Sequence, residues 1–170
     1  DFQYPLSIPG FTVKSNGGHD MVVFEYQPSG TYGWAVGVGG GKHDWPRGMV
    51  VDAKENIYLA GQIESQVAFG VHKPPYSGDI DAVITKQSSS GKFLWARSMG
   101  GTGQDLTKDV AVDGAGNVYV TGTFQGTATF GSQKLACMGD SKDKDVFVAM
   151  LDSSGKFVWA TSVGSKGEET

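Results

Sequence analysis

The chain has 170 residues, 14 basic and 18 acidic, for a net charge of −4; with 39% hydrophobic and 19% charged residues it is globular in composition rather than disordered. The basic residues are scattered singly, which excludes the clustered Lys and Arg of a nucleic-acid surface. No apolar run approaches the roughly 18 residues a membrane helix needs, and with Cys137 as the only cysteine neither an internal disulfide nor a cysteine zinc site can form.

Glycine is the compositional outlier at 26 residues, without the period of three of a collagen. Placed between short β-branched runs it marks frequent tight turns and an all-β chain. The opening DFQYPLSIPG (1–10) lacks the charged start and long apolar stretch of a signal peptide. It aligns loosely with TFQGTATFG at 123–131, which makes 1–18 the tail of an incomplete unit. Next come PSGTYGWAVGVGG (28–40), SSGKFLWARSMGG (89–101) and SSGKFVWATSVGS (153–165). From Trp34 to Trp95 is 61 residues and from Trp95 to Trp159 is 64, and Gly30, Gly91, Gly155 and Asp20, Asp81, Asp145 keep the same step. MVVDAKENIYLAG (49–61) matches VAVDGAGNVYVTG (110–122), pairing Asp52 with Asp113, Asn56 with Asn117 and Tyr58 with Tyr119. Phe69-Gly70 matches Phe130-Gly131. The repeats are therefore 19–78 and 79–142, with the start of a third at 143–170.

Each unit reads as four strands. DVAVD (109–113) and NVYVTGTF (117–124) flank Gly114-Ala115-Gly116 as one hairpin. DVFVAML (145–151), apolar on both faces as in a buried strand, turns at Asp152-Ser153-Ser154-Gly155 into KFVWATSV (156–163). No long stripe of helical period appears. The expected fold is an all-β propeller segment of four-stranded antiparallel blades, with a solenoid or large sandwich as the lesser alternative. A propeller closes with roughly four to eight blades, so the ring is incomplete: the chain is a fragment, or a protomer completed by others, and alone it is expected to be unstable or oligomeric. Trp34, Trp95 and Trp159 are assigned to packing between blades, Trp95 and Trp159 in equivalent buried places.

These residues resemble the seven-bladed β-propeller repeats often called SBBP repeats. That family's text is similar to D-A-F-V-A-K-L-D-S-S-G, W-S-T-Y-L-G-G-S-G-x-D and I-A-V-D-x-x-G-N-x-Y-V-T-G. The matching text here is DVFVAMLDSSGKFVWATSVG (145–164), GGTGQD (100–105) and VAVDGAGNVYVTG (110–122). The first repeat departs most, at Gln27-Pro28 and Trp45-Pro46. LDSSGKFVW also looks like the tryptophan-docking motif of quinoprotein-dehydrogenase propellers, one residue shorter. The resemblance implies architecture more than activity, in propeller segments of large secreted or surface-attached proteins.

The chemical candidates are each better explained structurally. GVGGGKH (37–43) lacks the first glycine of a phosphate loop, having Val36 there, and the Ser or Thr after Lys42. Its glycines, like Gly100-Gly101, read as inter-strand turns. His19, His43 and His72 have no metal or catalytic spacing and do not recur. Serines 88–90 and 153–154 sit in turns without the elbow glycines of a hydrolase. Asp79, Asp81, Asp140, Asp143 and Asp145 read as turn caps, although DSKDKD (140–145) could offer calcium several oxygens between Lys142 and Lys144. Asp52, Asn56, Asp113 and Asn117 read as hairpin-tip residues. Trp45, flanked by His43, Asp44, Pro46 and Arg47, reads as a loop aromatic for packing or for sugar or protein contact.

No catalytic, cofactor-binding or metal residue is assigned, and no cofactor is expected. The expected function is a non-catalytic structural or interaction module of a larger secreted or cell-surface protein, giving a rigid surface for assembly or adhesion. Its partners would be other protein chains or the remaining blades, with glycans a further candidate, and neither nucleic acid nor a membrane span. The alternative is a fragment of a propeller enzyme, quinoprotein-like or carbohydrate-active, whose chemistry would come mainly from other blades.

Overall fold

A computed structural model describes residues 1–139 and 143–166, and the described residues contain strands and turns but no helix. In chain order the strands are β1 (Leu6–Ile8), β2 (Phe11–Val13), β3 (Met21–Tyr26), β4 (Tyr32–Val38), β5 (Asp44–Val51), β6 (Ile57–Ile63) and β7 (Asp81–Gln87). Then follow β8 (Phe93–Gly101), β9 (Leu106–Val112), β10 (Val118–Gln125), β11 (Thr127–Phe130), β12 (Gln133–Ala136), β13 (Lys144–Leu151) and β14 (Phe157–Val163).

All pairing between named strands is antiparallel. Strands β5-β6-β7-β8 form one blade and β9-β10-β13-β14 the next, while β3-β4 is a half-blade before them. The first strands β5 and β9 pack beside each other, as innermost strands do around a propeller axis. The hairpin β11-β12, inserted between the second and third strands of its own blade, reaches back to the outer strand of the preceding blade. There Ala128 pairs with Gly101 and Thr129 with Gly100, giving the order β12-β11-β8-β7-β6-β5. The fold class expected from the repeat is the one found: an all-β propeller segment that does not close.

The turns follow from local chemistry. Gly30, Gly91 and Gly155 have φ of +84°, +77° and +79°, a region that glycine enters without steric cost. Each donates its N–H to the carbonyl three residues back, that of Gln27, Ser88 or Asp152. The tips of the other hairpins are held by one aspartate each. Asp113 Oδ1 accepts the N–H groups of Ala115 and Asn117 at 2.9 Å, while Oδ2 accepts Asn117 Nδ2 at 2.8 Å and the Tyr119 hydroxyl at 3.3 Å. Asp52 does the same with Lys54, Asn56 and Tyr58. The Asn117 amide and backbone N–H together hold the Asp113 carboxyl below the usual carboxylate range. The aspartate, asparagine and tyrosine of the repeat are thus one hydrogen-bonded unit, the structural role expected for them. Asp113→Ala removes every acceptor of that unit, and the melting temperature should drop by about 2–4 °C in a calorimetric scan. An unchanged melting temperature would show that the tip holds itself without the aspartate.

Two apolar layers lie between the blades. One unites Met21, Val23 and Val38 with Leu59, Ile63, Val83 and Phe93; the other unites Ile84, Trp95 and Met99 with Val118, Phe124 and Phe147. In β7 both faces are buried, because a sheet lies on each side. Strand β13 departs from the expectation of two buried faces: Phe147, Ala149 and Leu151 are buried, but Val148 is exposed. Among the described residues no further blade covers that face. Burial on both sides is supplied by neighbouring blades and not by the strand itself.

Two further expectations are corrected. Trp45, Pro46 and Arg47 lie in β5 and not in a loop, with a bulge between Pro46 and Gly48. The bulge accommodates a proline that can donate no ladder hydrogen bond. Gly100 and Gly101 are the last residues of β8, whereas Gly39 and Gly40 do connect β4 to β5 as expected.

Candidate functional site

The recurring residues are used up in joining blades. Trp34 donates its indole N–H to the Ser89 carbonyl at 2.8 Å, and Trp95 donates to that of Ser153 at 3.3 Å. Each ring lies on the turn glycine of the next blade: a Cβ on Gly91 would stand 2.6 Å from the Trp34 ring, and one on Gly155 the same distance from Trp95. Arg97 stacks over Trp95 at 5.8 Å and donates Nε–H to the Gly155 carbonyl at 2.7 Å. Trp159 repeats only the half of this arrangement within its own blade, its ring 6.4 Å from Tyr119 as Trp95 is 6.1 Å from Tyr58. Trp95 is 6% exposed and Trp159 37%. The expected equivalence of burial therefore fails, since no following turn lies over Trp159 among the described residues.

The recurring aspartates are buried carboxylates. Asp20, Asp81 and Asp145 open the third strand of their blades and accept backbone N–H groups from Asn16, Ser77 and Met138. A second set, Asp44 and Asp105, stands at the first strands and accepts from Gly40 and Gly101 at 2.7 Å. Asp81 and Asp105 converge across Gly100, where an added Cβ would meet Asp81 Oδ1 and Asp105 Oδ2 at 2.8 Å each. Glycine is required there because carboxylates fill the space of a side chain. Burial pushes Asp44 and Asp81 up to about 6 and Asp105 up to about 7, and the neighbouring acids add to the rise for Asp44 and Asp105. The Oδ1 atoms of Asp20, Asp44 and Asp81 are buried without a hydrogen-bond partner. Asp44, expected as a non-recurring loop neighbour of Trp45, is instead the first residue of β5 and recurs as Asp105 at the common step of 61 residues, the signal in the sequence for this second set.

Among the described residues no three His, Cys, Asp or Glu side chains are arranged to hold a metal ion. Asp140 and Lys142 of the acidic stretch lie outside the described residues, and Asp145 faces Cys137 Sγ at 3.3 Å. The fold brings His19 and His43 together, ring centroids 5.2 Å apart, with Trp45 stacked on His43 at 5.5 Å. His43 Nδ1 accepts the backbone N–H of His19 at 3.0 Å, which occupies the lone pair a metal would need. His72 lies elsewhere.

It lines a groove of about 730 Å³ between the two complete blades. One wall is the segment 71–75 with His72 and Lys73, the other the turn 155–157 with Lys156, and the outer strand β8 runs between them with Arg97. The Arg97 guanidinium is fixed by the carbonyls of Gly155, Ala96 and Ser154. The sequence does not show this group, because its cations come from one strand, β8, and from two separate connections, β6–β7 and β13–β14.

A family model for a β-propeller repeat, SBBP, matches residues 94–123. The chain is 24% identical over 173 aligned residues to an uncharacterised WD repeat-containing protein of Acanthamoeba polyphaga mimivirus, covering 91% of this chain and 12% of that protein. It is 26% identical over 126 residues to the regulatory protein FlaEY of Caulobacter vibrioides, covering 72% of this chain and 13% of that one. The chain thus spans about an eighth of the length of either relative. No helix of the described residues is long and apolar enough to cross a membrane. With an SBBP-type repeat matched at residues 94–123, across β8, β9 and most of β10, and with Trp, Gly and Asp spent on joining four-stranded blades, this chain is an incomplete β-propeller segment that carries such a repeat there.

Proposed function

We propose that the chain is a non-catalytic interaction module of a larger secreted or cell-surface protein, holding a rigid surface toward a protein partner. The observation that carries this reading is the division of labour between recurring and non-recurring residues. Tryptophan, turn glycine and buried aspartate serve the joints between blades, where residues must repeat. A catalytic site needs different groups converging once around a reacting atom. What does not repeat here is a surface of exposed side chains on a framework fixed by those joints, as suits binding. The relatives, a WD repeat-containing protein and a regulatory protein, support a repeat module in a longer chain.

Photo-cross-linkers placed at Met49, Lys73 and Lys134 in the native protein test it, since all three side chains are exposed. A discrete protein adduct from at least one position is expected, together with removal of an epitope tag by protease added to intact cells. Turnover of a small molecule by the purified protein, without any adduct, would overturn the module; protection of the tag in intact cells would overturn the surface location.

A further inference from the structure

Strand β8 is paired with β7 along one side from Phe93 to Met99. On its other side only Gly100 and Gly101 reach β11, so among the described residues the stretch Phe93–Met99 has an edge with no strand partner. Open edges of this kind accept further strands. The groove between the blades lies along that edge, lined by Ala96, Arg97 and Ser98. The Ala96 carbonyl is already taken by Arg97 Nη1 at 2.8 Å, which marks it as pointing away from the sheet, the side a new strand would use.

The solvent-accessible charges along the groove are of one sign. Lys73 and Lys156 are exposed on opposite walls and Arg97 is half-buried between them, on a chain whose net charge is −4. The acid in the lining is Asp81, which is buried. A lysine on an edge strand serves to repel other strands, but Lys73 and Lys156 are not on β8; they line the groove from two separate connections. Cations on both walls select an acidic occupant and leave the edge itself free.

We infer that this groove binds an extended acidic peptide segment, added as a strand to the outer edge of β8 in line with β11 and hence antiparallel to β8. Its backbone N–H takes the second lone pair of the Ala96 carbonyl, the Arg97 guanidinium, held by the Gly155 and Ser154 carbonyls, presents its remaining N–H groups to a peptide carboxylate in a charge-assisted pair, and Lys73 and Lys156 receive further carboxylates. The inference rests on the interaction-module reading and names the partner's chemistry.

The test uses the whole chain and a fluorescent decapeptide of alternating Glu and Thr, with Gln-for-Glu and Lys-for-Glu counterparts. The Glu peptide should bind about tenfold or more tightly than the Gln peptide, weaken with salt, and slow hydrogen exchange in β8; the Lys peptide should not bind. Lys73→Glu with Lys156→Glu, both exposed and tolerable to the fold, should cost about tenfold in affinity. Ser98→Pro, which removes an edge N–H, should reduce binding with the melting temperature recorded alongside. Equal binding of Glu and Gln peptides, binding indifferent to the double charge reversal, or protection confined to other strands would each overturn the proposal. A protein adduct from Met49 or Lys134 alongside such a failure would leave the module reading standing, so the two fail separately.

Discussion

Trp95→Ala should destabilise the chain by about 3–5 kcal/mol in urea unfolding, whereas Trp159→Ala should cost less than about 1.5 kcal/mol. Sequence gives the two residues the same role, and the difference comes from what lies over them. Trp95 is inserted between blades, on the Gly155 turn, beneath Arg97 and against Tyr58. Removing it opens a cavity within the apolar layer and leaves the Ser153 carbonyl without its indole donor. Trp159 is more than a third exposed and has only the contacts of its own blade. Gly155→Ala is the reciprocal change and strains the same joint twice: its φ is +79°, and the new methyl would stand 2.6 Å from the ring. Equal losses at the two tryptophans would mean that their contribution comes from within the blade, and that the joint between blades is held by something else.

Most of the fold was legible because a propeller repeats its joints. Recurrence of Trp, Gly, Asp and the Asp-Asn-Tyr set marks residues whose surroundings also recur, so a register of about 60 residues was enough to place four strands per unit and to name the packing residues. It could not show which faces are covered, because coverage depends on the neighbour. β13 is the more apolar of the two strands, yet its Val148 is exposed where the equivalent Ile84 of β7 is buried. Nor could it place Trp45, whose proline neighbour argued for a loop; the bulge at Pro46 reconciles the residue with a strand. The groove was illegible for a different reason. Lys73, Arg97 and Lys156 are ordinary residues with ordinary spacing, and only the docking of one blade's turn beside the previous blade's outer strand brings them together.

The chain should lose thermal stability as pH rises from 5 to 8, its melting temperature falling by at least about 5 °C. Asp44 and Asp81 titrate near 6 and Asp105 near 7 in the folded chain, raised chiefly by burial, against about 4 when unfolded. Between about pH 4 and 7 the folded chain thus keeps protons that the unfolded chain has released. Stability from these groups is complete below the unfolded value and is lost as pH rises through the folded ones. Asp113 and Asp152, held low by their turn hydrogen bonds, act in the opposite sense, but only as pH falls below the ordinary carboxylate range. They leave the window from 5 to 8 to the buried set. Asp81→Asn isolates the effect: its oxygen can still accept from the Ser77 N–H, and its amide faces Asp105 Oδ2 across Gly100, where two carboxylates now converge. The variant should melt higher than the parent at pH 8, nearly match it at pH 5, and show a shallower slope between. A parent that melts higher at pH 8 than at pH 5, or a variant with an undiminished slope, would show that the paired acids are not what loosens the joint between blades.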